Sequence, residues 1–103
     1  MQHLEIHLSP AANFRQTEAA LEAALAAAGL QITLRGTLGK FPGCIHWHAQ
    51  EPGKPGTLEL TLWPQEKRAW FSIQRGRTAG WITQQLPEIR AIFGRHLAAA
   101  PET

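Results

Sequence analysis

Three side chains able to bind a metal or act as nucleophile or base recur at alternate positions: Cys44, His46 and His48. On a strand that spacing aims all three to one side, and thiolate and imidazole are ligands that zinc or copper prefers. Glu59 is a further candidate, as a fourth ligand or as the group that orients the His48 ring. A flat strand works against this set. Ligands two apart lie about 6–7 Å apart along it, whereas a tetrahedral ion needs them at about 2.0–2.3 Å from its centre. His3-x-Glu5-x-His7 has the same spacing and the same weakness. The motifs CxxC, HxxxH and HExxH do not occur. For covalent chemistry Cys44 would need His46 as base, with Glu59 to orient it.

A second chemistry is stacking. Trp63 and Trp70 fall on the face that carries the histidines, with Arg35, Arg68, Arg75 and Arg77 on it or at its edges. Aromatic rings flanked by arginines are how sequence-tolerant proteins hold single-stranded nucleic acid. The same rings could serve a homodimer contact through the open sheet face, since two exposed indoles form an apolar patch that calls for a partner. A third chemistry is anion binding at Arg75-Gly76-Arg77-Thr78, just before a helix start, where backbone amides favour phosphate or carboxylate. Thr78 also reads as the N-cap of that helix. The loop Gly36-Thr37-Leu38-Gly39-Lys40 is not a Walker motif, because Leu34 and Phe41 stand where glycine and a hydroxyl residue are required.

The elements that position these residues form a meander of three strands, over 44–49, 57–63 and 69–74. Alternation puts Ile45, Trp47, Ala49, Leu58, Leu60, Leu62, Ala69, Phe71 and Ile73 on the core face. Cys44, His46, His48, Glu59, Thr61, Trp63, Trp70, Ser72 and Gln74 share the other. Pairing apolar with apolar opposes Trp47 to Leu60 and Leu62 to Phe71. The wet face then carries the rows Cys44-Trp63-Trp70, His46-Thr61-Ser72 and His48-Glu59-Gln74.

Around the meander, residues 2–8 alternate as a first strand with Leu4, Ile6 and Leu8 inward. Asn13 caps a helix, with Gln16 placed for a capping box, and Gly29 ends it. Glu18 and Glu22 face away from that helix's apolar stripe. Residues 30–35 form another strand, with Leu30, Ile32 and Leu34 inward and Gln31, Thr33 and Arg35 outward. The last helix bears Trp81, Ile82, Leu86, Ile89, Phe93 and Leu97 on one stripe, and Pro87 within it predicts a kink or a split. The fold class is therefore α+β in the order β-α-β-β-β-β-α. A curved, mainly antiparallel five-stranded sheet carries two helices on one face, with a single domain over 1–97 and a frayed tail over 98–103. This order of elements is similar to a half-repeat of the TATA-binding-protein fold and to helix-grip domains, which implies a curved sheet with one open face.

Composition sets the outer bounds. A chain of 103 residues holds one two-layer core, and no apolar run reaches the roughly 20 residues of a membrane helix, so no membrane partner is expected. The formal charge of +2 with a pI near 9.2 is modest for a nucleic-acid binder. A single cysteine and a start without a signal-like apolar region predict a cytoplasmic setting. No cofactor is expected. The expected function is a non-enzymatic binding or interaction module. Its surface comprises His46, His48, Glu59, Trp63, Trp70 and Arg68, with Arg75, Arg77 and Thr78 for an anionic ligand. The alternative is a metal- or thiol-dependent site at Cys44, His46 and His48.

Overall fold

The structure is a computed structural model and describes residues 2–100. Its elements are β1 (Gln2–Ile6), α1 (Phe14–Ala27), β2 (Gln31–Gly36), β3 (Ile45–Gln50), β4 (Leu58–Trp63), β5 (Arg68–Ile73) and α2 (Gly80–Ala99). All pairings are antiparallel, and the five strands lie in the order β1-β5-β4-β3-β2. This is the expected α+β architecture. Among the described residues no helix is long and apolar enough to cross a membrane.

One sheet face carries the core. Trp47, Ala49, Leu58, Leu60, Leu62, Ala69, Phe71 and Ile73 pack against Leu21, Ala24 and Leu25 of α1 and Trp81, Ile82, Ile89 and Phe93 of α2. The helices form where the sequence places them. Asn13 Oδ1 accepts from the amides of Arg15 at 2.9 Å and Gln16 at 3.2 Å, which satisfies two of the donors a helix start leaves open. Gly29, at φ +77°, ends α1, with the Leu30 amide reaching back to the Leu25 carbonyl at 3.0 Å.

Five local expectations are revised. Pro87 neither splits nor interrupts α2, which continues as one helix; Pro87 and Thr83 are both exposed, so the carbonyl that loses its partner faces water. The same helix runs on to Ala99, one residue past the start of the expected tail, while 101–103 lie outside the described residues. Its N-cap is Ala79, without a side-chain cap, so Thr78 does not cap it. The second hairpin is shifted by two residues: Phe71 opposes Leu60 and Ala69 opposes Leu62. A tight 3-10 turn at Pro64–Glu66, closed by Lys67 at φ +51°, ends one strand at Trp63 and restarts the next at Arg68.

The fifth revision concerns β2. Ile32 pairs with Ala49 but Leu34 pairs with His48, so Thr33 is the extra residue of a bulge. Beyond it the faces exchange. Leu34 joins the histidine face, and Arg35 turns to the helix side, where it donates from Nη2 to Glu18 Oε2 at 2.7 Å and from Nε to Glu22 Oε2 at 3.1 Å. Glu22 Oε2 also accepts from the indole of the fully buried Trp47 at 2.9 Å. Glu18 and Glu22 thus face the sheet and tie α1 to its edge.

The loop between β3 and β4 is clamped to α2. Trp81 Nε1 donates to the Pro55 carbonyl at 2.6 Å, and the Thr57 amide donates to the Arg77 carbonyl at 2.9 Å. Gly56 makes this approach possible. It sits at φ +95°, and a β-carbon there would lie 2.7 Å from Ala79 Cβ and 3.0 Å from the Arg77 carbonyl oxygen. Gly56→Ala is expected to lower stability by about 1–3 kcal/mol through strain alone, read as a shifted midpoint in chemical denaturation. A variant as stable as the parent would show that this contact does not hold the 75–79 turn.

Candidate metal centre

The face away from the helices is not bare. The loop 37–43 and the turn 75–77 fold over it, and beneath them His46, Glu59, Thr61, Trp70 and Ser72 are buried. Phe41 wedges between Trp63 and Trp70, with ring centres 5.1 Å and 5.0 Å away. Trp63 Nε1 donates to the Pro42 carbonyl at 3.0 Å. His3 stacks on Trp70 at 5.4 Å and the Arg68 guanidinium lies 4.8 Å from the same ring. Arg68 also pairs with Glu5. Trp70 is 3% exposed, so the expected two-indole stacking platform is instead an internal aromatic cluster. Because of the shifted hairpin, Trp63 opposes Arg68 rather than Trp70.

Cys44 is withdrawn from the histidines in the same way. Its sulfur accepts from the Leu38 amide at 3.3 Å, lies 3.7 Å from Thr37 Oγ1 and is buried under the loop. It serves as an anchor for the loop, and the Cys44-His46-His48 set does not assemble. Glu59 takes its place. His46, His48 and Glu59 converge, because β3 and β4 pair in the register that sets His46 against Thr61 and His48 against Glu59.

The three facing atoms are His46 Nε2, His48 Nε2 and Glu59 Oε1. His46 Nε2 is 3.1 Å from both others, and His48 Nε2 is 3.7 Å from the carboxylate oxygen. A tetrahedral ion with ligands at about 2.0–2.1 Å would space them about 3.3–3.4 Å apart. The flat-strand objection fails because the two imidazoles do not stand parallel: their planes are 78° apart and their tips lean together. Lone pairs packed this closely repel unless a proton or a metal ion sits among them.

Two further residues complete the surroundings. His46 Nδ1 lies 2.8 Å from the hydroxyl oxygen of the buried Thr61. Arg77 Nη1 is 3.5 Å from Glu59 Oε2, the oxygen turned away from the histidines. Burial pushes the His46 pKa below the ordinary imidazole value and the neighbouring His48 adds to this, outweighing the upward pull of Glu59. His46 is therefore a neutral imidazole near pH 7, the form that ligates metal. Thr61 as an orienting group and Arg77 as a partner of Glu59 were not assigned these roles from sequence. The His46-Thr61 and His48-Glu59 rows of the first hairpin carried the signal for Thr61; nothing local carried that for Arg77.

An open cleft of about 520 Å³ leads to this cluster, lined also by Leu34, Thr37, Leu38, Gln74, Arg75 and Arg77. Thr78 is exposed and is not part of that lining. Comparison of the chain with protein families, with curated proteins and with solved structures finds no match. The functional reading therefore rests on geometry.

The depressed pKa of His46 has a consequence for the metal-free protein. In the unfolded chain this imidazole takes a proton near pH 6.5, whereas in the fold, buried and facing His48 and a Glu59 that is itself paired with Arg77, it does so only at lower pH. Unfolding then takes up a proton, so its contribution is complete above about pH 6.5 and is lost as pH falls towards the folded value. Denaturation midpoints in a chelator should fall from pH 7 to pH 5 in the parent and fall less in His46→Gln. Equal pH dependence in the two proteins would contradict this.

Proposed function

We propose that this protein is a metal-binding domain that holds a divalent first-row transition ion, zinc by preference, through His46, His48 and Glu59. The observation that carries the reading is the convergence of two imidazole nitrogens and one carboxylate oxygen at 3.1–3.7 Å. Two nitrogens and one oxygen form a borderline donor set suited to zinc, iron(II) or cobalt(II) rather than to calcium or magnesium. Three protein ligands on one side leave a coordination position directed to the cleft, the pattern of metal sites that bind an exogenous ligand rather than purely structural ones. The ion would also compensate the buried Glu59 carboxylate.

The surroundings fit that role. For Nε2 of His46 to face the metal, Nδ1 must carry the hydrogen, and Thr61 Oγ1 is placed to accept it. Arg77 would hold the second oxygen of Glu59 and so fix the carboxylate as a one-oxygen ligand. The expected surface for stacking single-stranded nucleic acid has less support, since Trp70 is internal.

Titration of chelator-treated protein with zinc should show one site per chain. Cobalt(II) in its place should give the visible absorption of a tetrahedral ion. His46→Ala, His48→Ala and Glu59→Gln should each weaken zinc by more than about 100-fold, the upper range for loss of an outer-shell partner alone. Parent protein without a one-to-one site would refute the assignment. The orienting role of Thr61 is checked separately: Thr61→Val should cost about 10–100-fold in zinc affinity and Thr61→Ser much less. Equal affinities in the two variants would remove Thr61 from the site.

A further inference from the structure

We infer that the coordination position facing the cleft takes a phosphate group, held between the metal ion and the guanidiniums of Arg75 and Arg77. This rests on the metal-binding reading above and adds the ligand class to it. The charge of the cleft decides the matter. Among the described residues Glu59 is the one acidic side chain lining it, and both arginines line it too. With neutral histidines, a divalent ion brings two positive charges, Glu59 cancels one, and the arginines add two. A singly charged carboxylate would leave most of that excess uncompensated. A phosphate carrying close to two negative charges, with several acceptor oxygens, offsets more of it and can meet two guanidiniums and the ion together.

The placement of the arginines agrees. The turn Gln74-Arg75-Gly76-Arg77 is closed by the Arg77 amide donating to the Gln74 carbonyl at 3.0 Å, with Gly76 at φ +87°. The Thr57–Arg77 backbone bond and the Gly56 contact pin that turn beside Glu59. Among the described residues the Arg77 guanidinium pairs with one carboxylate oxygen, the outer one of Glu59, and Arg77 is 52% exposed, so it has donors to spare for a ligand. Arg75 is exposed and pairs with no carboxylate among the described residues. The cleft, at about 520 Å³, also exceeds what a bare phosphate fills and lies within the range of small-molecule sites. Leu34, 48% exposed at the rim, and Leu38 give apolar walls. The ligand class is thus a phosphate monoester of a small organic molecule, its phosphate on the ion and its organic part against those leucines.

The test uses the full chain loaded with cobalt(II), so that metal binding and ligand binding are read from one absorption spectrum. Inorganic phosphate is titrated first, then acetate, and both are repeated on the metal-free protein and on cobalt-loaded Arg75→Ala and Arg77→Ala. The expected result is a phosphate-induced change in the cobalt band, with affinity at least about tenfold above that for acetate. Affinity should fall at least about tenfold in each arginine variant, and in the metal-free protein by calorimetry. Cobalt binding without a phosphate effect would overturn the phosphate site and leave the metal centre standing. No cobalt binding would overturn both. Equal response to acetate, or phosphate binding indifferent to the metal or to both arginines, would also overturn the assignment.

Discussion

The pairing of β3 with β4 is the constraint on which the rest depends. In one register, Trp47 meets Leu60 on the helix side while His46 meets Thr61 and His48 meets Glu59 on the other. A slip of one residue would exchange the faces, exposing two fully buried side chains and burying the polar ones against the helices. Burial of Trp47 and Leu60 against α1 and α2 therefore fixes the spacing of the site. The stability of the core and the geometry of the triad are two faces of one hydrogen-bonded ladder.

The site is also shaped by segments that are not strands. A sheet face with two tryptophans, two histidines and a glutamate would be poorly hydrated and apolar in patches. The chain resolves this internally. Phe41 covers the indoles, Leu38 and Thr37 engage the Cys44 sulfur, and Arg77 reaches over Glu59. The same coverage lowers the local dielectric around His46. That keeps the imidazole neutral and strengthens the field felt by any charge entering the cleft.

Much of the architecture was legible in alternation and in turn chemistry. Asn13 and Gly29 marked the ends of α1, and period-two patterns placed all five strands to within a residue or two. The errors have local causes. The bulge at Thr33 reversed Leu34 and Arg35, since one extra residue exchanges faces and no residue type there announces it. The 3-10 turn moved the second hairpin by two, a shift that keeps apolar against apolar and is therefore invisible to hydrophobic pattern.

The sequence by itself determined which residues of β3, β4 and β5 share a face, because alternation along an unbulged strand is a property of the backbone alone. His46, His48, Glu59 and Thr61 were on one side of the sheet whatever the details of packing. Only the tertiary structure decided that Glu59 and not Cys44 joins the histidines, because that choice turns on side-chain tilt and on a loop brought back over the sheet. Only it could place Arg77 beside Glu59, eighteen residues away in sequence, through a turn pinned at Gly56. Periodicity is set by neighbours along the chain. Convergence of ligand atoms is set by contacts between distant segments, which no local pattern encodes.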